Sequence, residues 1–319
     1  MAGFPGAESL SVARVNFYTI NCSKFLADLC QLEMRVLFAW SGEEKHFFSN
    51  RSIDPSRSPF IKERLSVIFE GETLDSLIGQ VTDSRFSADR FKVIYLKIEG
   101  WEDDYQERLR GVRDLGTAIE GSADVRNPLV TFGVTCVNGK WIFGAYQKND
   151  YQWHRHDKKP HTYSSSLSFR VARALVNIGI GPDTTRTLID PCCGVGTVVI
   201  EALSMGIDAK GYEINAPVAG SARQNVVFFG HPDVITEGDM HASEEHFDVA
   251  IIDIPYGLYQ AITAGQQLEI IKTARRICRR LILVTLENMD AMIREAGFEI
   301  VDKARVSKGH MVRRVNVCE

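Results

Sequence analysis

Four acidic residues punctuate the second half of the chain. Asp190 opens Asp190-Pro191-Cys192-Cys193-Gly194-Val195-Gly196-Thr197, Glu213 follows 23 residues later, Asp239 stands in Gly238-Asp239, and Asp253 opens Asp253-Ile254-Pro255-Tyr256-Gly257. Glycines in a turn between a strand and a helix let the main chain approach a ligand closely. An acid at the end of the following strand is where nucleotide sites accept hydrogen bonds from ribose hydroxyls. A dinucleotide is excluded because its pattern needs Gly or Ala where this chain has Val199. No Lys-Ser/Thr pair follows the glycines, so a triphosphate loop is excluded too. An acid directly before the turn would repel a pyrophosphate but suits a cation, such as the sulfonium and amino group of S-adenosylmethionine. Asp239 would then accept from an adenine amino group. Any one of these acids alone reads equally well as a cap or a solvated loop residue; three at successive strand ends point to a ligand. Asp190, Cys193, Gly194, Gly196, Glu213 and Asp239 are the expected cofactor-binding residues.

The motif that opens at Asp253 addresses a different problem. An amino group on an aromatic ring is a poor nucleophile, because its lone pair is delocalised. A carboxylate oxygen and a main-chain carbonyl that accept its two N–H bonds turn the lone pair toward a methyl donor. Asp253 and the carbonyl of Ile254 have the spacing for that, Pro255 stiffens the turn, and Tyr256 can stack on a base. Asp253, Ile254, Pro255 and Tyr256 are therefore the expected catalytic residues. Their effect would come from orientation and charge stabilisation.

Elements must hold these residues in place, and their pattern is regular. A helix is expected at Leu167–Ile178, where Leu167, Val171, Ala174, Leu175 and Ile178 share one face, with a stop at Gly179. Strands at Thr187–Ile189, Gly211–Ile214, Val234–Ile235, Val249–Ile252 and Leu281–Leu286 alternate with helices at Thr197–Met205, Ala219–Phe228, Leu268–Cys278 and Met289–Glu295. That alternation predicts a mostly parallel sheet, whose ligands bind beyond the strand carboxyl ends. Phe298–Val306 and Met311–Val317 read as a closing antiparallel pair around Lys308-Gly309. The first half reads as α+β: a strand at Val15–Thr19, a helix at Phe25–Phe38, a loop at Ser52–Pro59, a strand at Phe91–Ile98 and a helix at Tyr105–Leu115. Its firmest element is a hairpin over Val130–Tyr146, turned at Asn138-Gly139. Length predicts about two domains, here residues 1–152 and 153–319.

Composition narrows the class. Hydrophobic residues at 45% and charged residues at 24% are ordinary globular usage and exclude a disordered chain. Seven cysteines, with no C-x-x-C pair, argue against a disulfide framework and for a reducing cytoplasm. Met1–Val12 lacks the apolar core of a signal peptide, and no apolar run is long enough to span a bilayer. The formal net charge of -4 argues against a general polyanion binder. Locally the balance reverses: Trp153–Arg173 carries Arg155, Lys158, Lys159, Arg170 and Arg173 against Asp157. His154, His156 and His161 add charge as pH falls. Arg155, Lys158 and Lys159 are the expected nucleic-acid contacts; Trp153 reads as core or as a stacking platform. Arg275, Arg276, Arg279 and Arg280 form a second basic cluster, better read as a solvated helix face, and Lys303–Arg314 a third. No histidine has partners at metal-ligand spacing.

Together, DPCCGVGT, the acid of GYEIN, the GD of Gly238-Asp239 and DIPYG resemble class I S-adenosylmethionine-dependent methyltransferases. More narrowly they are similar to the THUMP-associated RNA guanine methyltransferases. Lys158–Asn177 resembles the segment preceding the cofactor turn in that family, Ala123–Gly144 is similar to the last part of a THUMP module, and Tyr18–Phe38 resembles the opening of such enzymes. The resemblance implies a Rossmann-like class I methyltransferase α/β sheet with an antiparallel terminal strand, preceded by an α+β THUMP-like RNA-binding domain. It implies S-adenosyl-L-methionine as cofactor, RNA (tRNA above all) as partner, no membrane, and methylation of the exocyclic N2 amine of a guanosine. Asp190, Gly194, Gly196, Glu213 and Asp239 would contact the cofactor; Asp253, Pro255 and Tyr256 would address the base. The family's usual D-P-P-Y has Ile254 in place of its first proline, which leaves open a catalytically weak S-adenosylmethionine- and RNA-binding protein. An adenine amino methyltransferase on RNA or DNA is the other alternative, because the same turn serves both amines.

Overall fold

Two seven-stranded sheets organise the computed structural model, which describes residues 15–99, 104–163, 166–255, 262–308 and 311–319. Tyr256, the Gly309 side of the expected terminal turn, and residues 1–14 lie outside the described residues. In chain order the elements are β1 (Asn16–Ile20), α1 (Ala27–Phe38), β2 (His46–Ser49), β3 (Ile61–Gly71), α2 (Leu74–Asp83), β4 (Ser87–Tyr95), α3 (Tyr105–Ala118), β5 (Glu120–Ala123), β6 (Val130–Val137) and β7 (Lys140–Lys148). They continue as α4 (Phe169–Ile180), β8 (Leu188–Asp190), α5 (Thr197–Ser204), β9 (Ala209–Glu213), α6 (Ala216–Phe228), β10 (Ile235–Glu237), β11 (Phe247–Asp253), α7 (Ala264–Ile277), β12 (Cys278–Thr285), α8 (Asp290–Glu295), β13 (Ile300–Lys308) and β14 (Met311–Cys318). Among the described residues no helix is long and apolar enough to cross a membrane.

The chain divides into two compact units. The first comprises the described residues of Met1–Asn21, Glu43–Pro55 and Ile61–Asn149; the second comprises Cys22–Gly42, Ser56–Phe60 and Asp150–Glu319.

The first unit is a mixed sheet of order β2-β1-β3-β7-β6-β4-β5, with β4 parallel to both β5 and β6. The expected hairpin is β6–β7, and its turn is made by Asn138 and Gly139, both at positive φ, as a two-residue turn of matching twist requires. An aromatic cluster of Phe69, Phe86, Phe132 and Phe143 fills its centre. The pattern reading missed β2, β3, α2 and β5. In β3 the apolar alternation is masked by Lys62-Glu63-Arg64 and shifted by an irregularity between Val67 and Phe69. Gly144 in β7 lies against that irregularity: a Cβ there would stand 2.0 Å from the carbonyl oxygen of Ser66. Backbone cannot retreat as a side-chain end can. Gly144→Ala is therefore expected to destabilise the unit by about 3 kcal/mol, read as a lower midpoint in urea unfolding of the full chain.

The second unit has the sheet order β10-β9-β8-β11-β12-β14-β13. Strands β8 to β12 run parallel, and β14 inserts antiparallel between β12 and β13. This is the expected Rossmann-like α/β sheet with an antiparallel terminal strand. Helix α4 is buried on nearly every side, leaving Arg170 exposed. It runs past the expected stop at Gly179 to Ile180 and is capped by Gly181 at φ +69°. Gly179 is a point of close approach, not a terminator: a Cβ there would lie 2.7 Å from Val249 Cγ1 of β11.

Helix α1 packs in this unit. Arg35 donates two hydrogen bonds to Asp302 of β13. The buried Glu33 accepts from Ser58 at 2.6 Å and from Asn177 of α4 at 2.6 Å. Burial pushes the Glu33 carboxyl up to about 7, although those bonds and the charges of Arg57 and Arg173 oppose the shift.

Candidate active site at the carboxyl ends of the parallel strands

The turn after β8 is built by main-chain bonds that need little from side chains. The N–H of Cys193 donates to the carbonyl of Tyr212 in β9, and the N–H of Gly196 returns to the carbonyl of Cys193. Gly194 and Gly196 sit at φ +53° and +82°, where L side chains are strained. The two glycines serve different neighbours. A Cβ on Gly196 would meet Ala222 and Val226 of α6, whereas one on Gly194 would meet nothing within 4 Å. The turn is thus backed by protein on one side and open on the other. Cys193 is buried beside Phe169 and Val199, so its side chain belongs to the core and only its main chain shapes the turn.

Strand geometry brings the four acids to one edge of the sheet. Asp190 ends β8, Glu213 ends β9, Asp239 follows β10 and Asp253 ends β11. Glu213 is fixed by two main-chain donors, Gly194 N–H at 3.0 Å and Asn215 N–H at 2.8 Å. Asp239 accepts from His241 N–H at 2.9 Å, so it also caps the short turn behind it. Asp190 is 5% exposed and accepts from Cys192 N–H. Burial pushes its carboxyl up to about 8, and the charges of Asp253 and Glu213 add to the shift. Burial likewise pushes Asp253 up to about 7, against the lowering charge of Arg313. A buried and a half-buried carboxyl that are reluctant to ionise, beside two fixed acids, form a site that gains by receiving positive charge.

Ile254 shows how this chain accommodates its departure from a double proline. Its N–H donates to the carbonyl of Val284 in β12, a ladder bond that proline cannot make. Its side chain is 1% exposed and packs with Ala250, Ile252 and Ile271. Ladder bond and packing thus supply the restraint that the ring would have supplied. Pro255 is exposed, and its carbonyl accepts from Gln267 of α7 at 3.1 Å. That helix starts in a capping box of Thr263 and Gln266.

The basic stretch Trp153–Arg173 is only partly exposed, contrary to expectation for Lys159. Residues Gln152–Lys158 form a 3₁₀ helix, whose three-residue turn puts every third side chain on one face. Trp153, His156 and Lys159 therefore point inward and are buried, while Arg155 and Lys158 are exposed. Lys159 is not available as a phosphate contact: its Nζ donates to Thr197 Oγ at 2.6 Å and lies 4.7 Å from the Phe169 ring centroid. Burial lowers its ammonium to about 8. Trp153 is core, with the Arg170 guanidinium over its ring. Arg173 and His156 meet on the fully buried Glu201 of α5, each at 2.6 Å, and tie α4 and the 3₁₀ helix to α5. The second basic cluster is engaged too: Arg276 donates to the carbonyls of His241 and Ser243, and Arg280 pairs with Glu319.

One residue of the site escaped the sequence reading. Arg313 of β14, counted only within a basic stretch, is 5% exposed with its Nε 3.9 Å from Asp253 Oδ1. The antiparallel run of β14 carries its first residues to the edge where β11 and β12 end, as the pairing of Arg314 with Thr285 requires.

Part of the chain is similar to known proteins. Residues 156–313 match the model of UPF0020, the RMKL-like methyltransferase domain. A protein named tRNA (guanine(10)-N2)-dimethyltransferase from Methanothermobacter thermautotrophicus is 27% identical over 239 residues, 68% of this chain and 69% of that protein. Another of that name, from Pyrococcus abyssi, is 28% identical over 143 residues, 42% of this chain and 43% of its own length. The crystal structure of TrmN from Thermus thermophilus superposes with a TM-score of 0.47 at 16% identity, covering 96% of this chain and 99% of that one. Residues 156–313, which carry the glycine turn and all four strand-end acids, are the part of the chain that is similar to the RMKL-like methyltransferase domain.

Proposed function

We propose that this chain is an S-adenosylmethionine-dependent RNA methyltransferase that methylates the exocyclic N2 amine of a guanosine in tRNA. The observation that carries the reading is the row of Asp190, Glu213, Asp239 and Asp253 at four successive parallel strand ends, with burial raising the carboxyls of Asp190 and Asp253. The two relatives named tRNA (guanine(10)-N2)-dimethyltransferase suggest the base and the RNA class. Cytoplasm is the compartment this substrate and the free cysteines suit.

The residues present fit the donor. The open side of Gly194 leaves room where a Cβ would otherwise stand, and the acidic set favours a ligand carrying a sulfonium and an ammonium. Asp190, Glu213 and Asp239, with the main chain at Gly194, would hold it. When bound, S-adenosylmethionine supplies a methyl group on positively charged sulfur. The chain's own residues then act on the target amine. Asp253 accepts one N–H and Ile254 O the other, which turns the nitrogen lone pair out of the ring's conjugation. As the nitrogen gains positive charge, ionised Asp253 stabilises it and takes the proton that leaves. Ile254, held by the Val284 bond, keeps its carbonyl in place. In this reading the first unit is a THUMP-like RNA-binding module, and Arg155 and Lys158 contribute phosphate contacts from the exposed face of the 3₁₀ helix.

The test is transfer of radiolabelled methyl groups to total tRNA followed by nucleoside analysis. Label in N2-methylated guanosine is the expected result. Label confined to an adenosine would move the target to the adenine amine, and donor binding without any transfer would make the chain a binding protein.

A further inference from the structure

Asp253 works in unfavourable electrostatic company. Asp190 on β8, Glu213 on β9 and Asp239 after β10 gather at the same edge, and with Asp253 all four acids act on the half-buried Cys192 thiol, raising it. Among the described residues, the cation within ion-pair distance of Asp253 is Arg313, reaching it from β14. A guanidinium that is 5% exposed is costly to bury unless its charge is used. Its neighbour in sequence, Arg314, points the other way and is exposed, so β14 has placed one arginine inward among alternating residues.

We propose that Arg313 is a positioning residue for methyl transfer, holding Asp253 ionised and aimed so that it can stabilise the amine as the nitrogen becomes positive. The inference rests on the proposed function, since only a reaction that builds positive charge on the target needs Asp253 charged. Without Arg313, burial would press Asp253 further toward its neutral form. A neutral carboxyl still accepts a hydrogen bond, but it neither offsets the developing charge nor takes the proton. The aspartate is active when ionised, and removing a cation raises its pKa, so loss of Arg313 must move the acidic limb of the rate profile to higher pH.

The experiment is single-turnover methyl transfer from pH 5.5 to 9.5 at saturating donor and RNA. Saturating donor removes the titration of Asp190 from the profile, because that group acts through donor binding. Wild type is expected to lose rate below about pH 7. Arg313→Met should move that limb upward by about one unit, making it about tenfold slower at pH 6.5 but close to wild type at pH 9. Arg313→Lys should return the limb to within about half a unit of wild type. Arg313→Gln, closer in shape, gives the same readout should the methionine variant fail to fold. A limb that stays put overturns the proposal, whether the rate falls equally at every pH, as for a structural residue, or not at all. A wild-type protein that methylates no guanosine overturns the functional reading instead, and the proposal with it.

Discussion

Asp253→Ala is expected to slow methyl transfer by roughly 1,000-fold while donor affinity stays within about threefold of wild type. The asymmetry follows from where the group sits. In the proposed function Asp253, at the end of β11, addresses the target amine, whereas Asp190 and the turn after β8 would hold the donor's cationic end. The two acids are nevertheless coupled, since the charge of Asp253 is one of the causes that push Asp190 up. Removing Asp253 lets Asp190 ionise at lower pH, so at neutral pH donor affinity should hold steady or rise slightly. Asp253→Asn separates the two parts of the role. It keeps an oxygen for the amine but not the charge, and it should fall between wild type and the alanine variant, roughly 100-fold below wild type. Single-turnover rates beside calorimetry with the donor check all three statements. A parallel loss of donor affinity in both variants would assign Asp253 to the cofactor instead of the base.

How much of this site could be read from sequence depended on the range of the interaction that places each residue. Asp190 to Thr197 were legible because a strand, a glycine turn and a helix are local chemistry, and the second acid follows at a set distance along one crossover. Asp253 was legible because its tetrapeptide carries its own geometry. The residues that were misread or missed are placed by something other than their neighbours. Lys159 reads as a surface base because it lies in a polar stretch dense in Arg, Lys and His. A three-residue period, invisible to a search for helical spacing, turns Trp153, His156 and Lys159 inward together. Gly179 looked like a helix stop, and only its approach to Val249 on β11 explains it. Arg313 sits 60 residues from Asp253 in sequence, and the register of β14 against β12 alone brings them together. Ile254 looked like a loss of rigidity until its ladder bond to β12 appeared. The sheet itself was legible in its alternation of strands and helices, although β14's place between β12 and β13 needed the structure.

The second large effect sets function against stability at Asp190. Asparagine there should weaken donor binding by about 100-fold, the loss of a charge-assisted contact in a buried setting, and yet make the unliganded protein more stable at alkaline pH. In the unfolded chain an aspartate gives up its proton near pH 4, whereas folded Asp190 keeps it to about 8. Between those values the folded state binds a proton that the unfolded state has lost, so stability falls as pH rises through that window. Asp253 and Glu33, both pushed up to about 7, act in the same direction. Thermal unfolding of the wild type should therefore show a falling Tm from pH 6 to 8.5, and Asp190→Asn should flatten that fall while keeping the Cys192 N–H bond through its amide oxygen. Donor should raise the wild-type Tm most at the alkaline end, where the ionised acid has no counter-charge until the sulfonium arrives, and should hardly move the variant. A variant as pH-sensitive as wild type would mean that the strain lies elsewhere in the acidic edge. The expected pattern would mean that the chain keeps a destabilising carboxyl at the head of its glycine turn because the donor's positive charge relieves it.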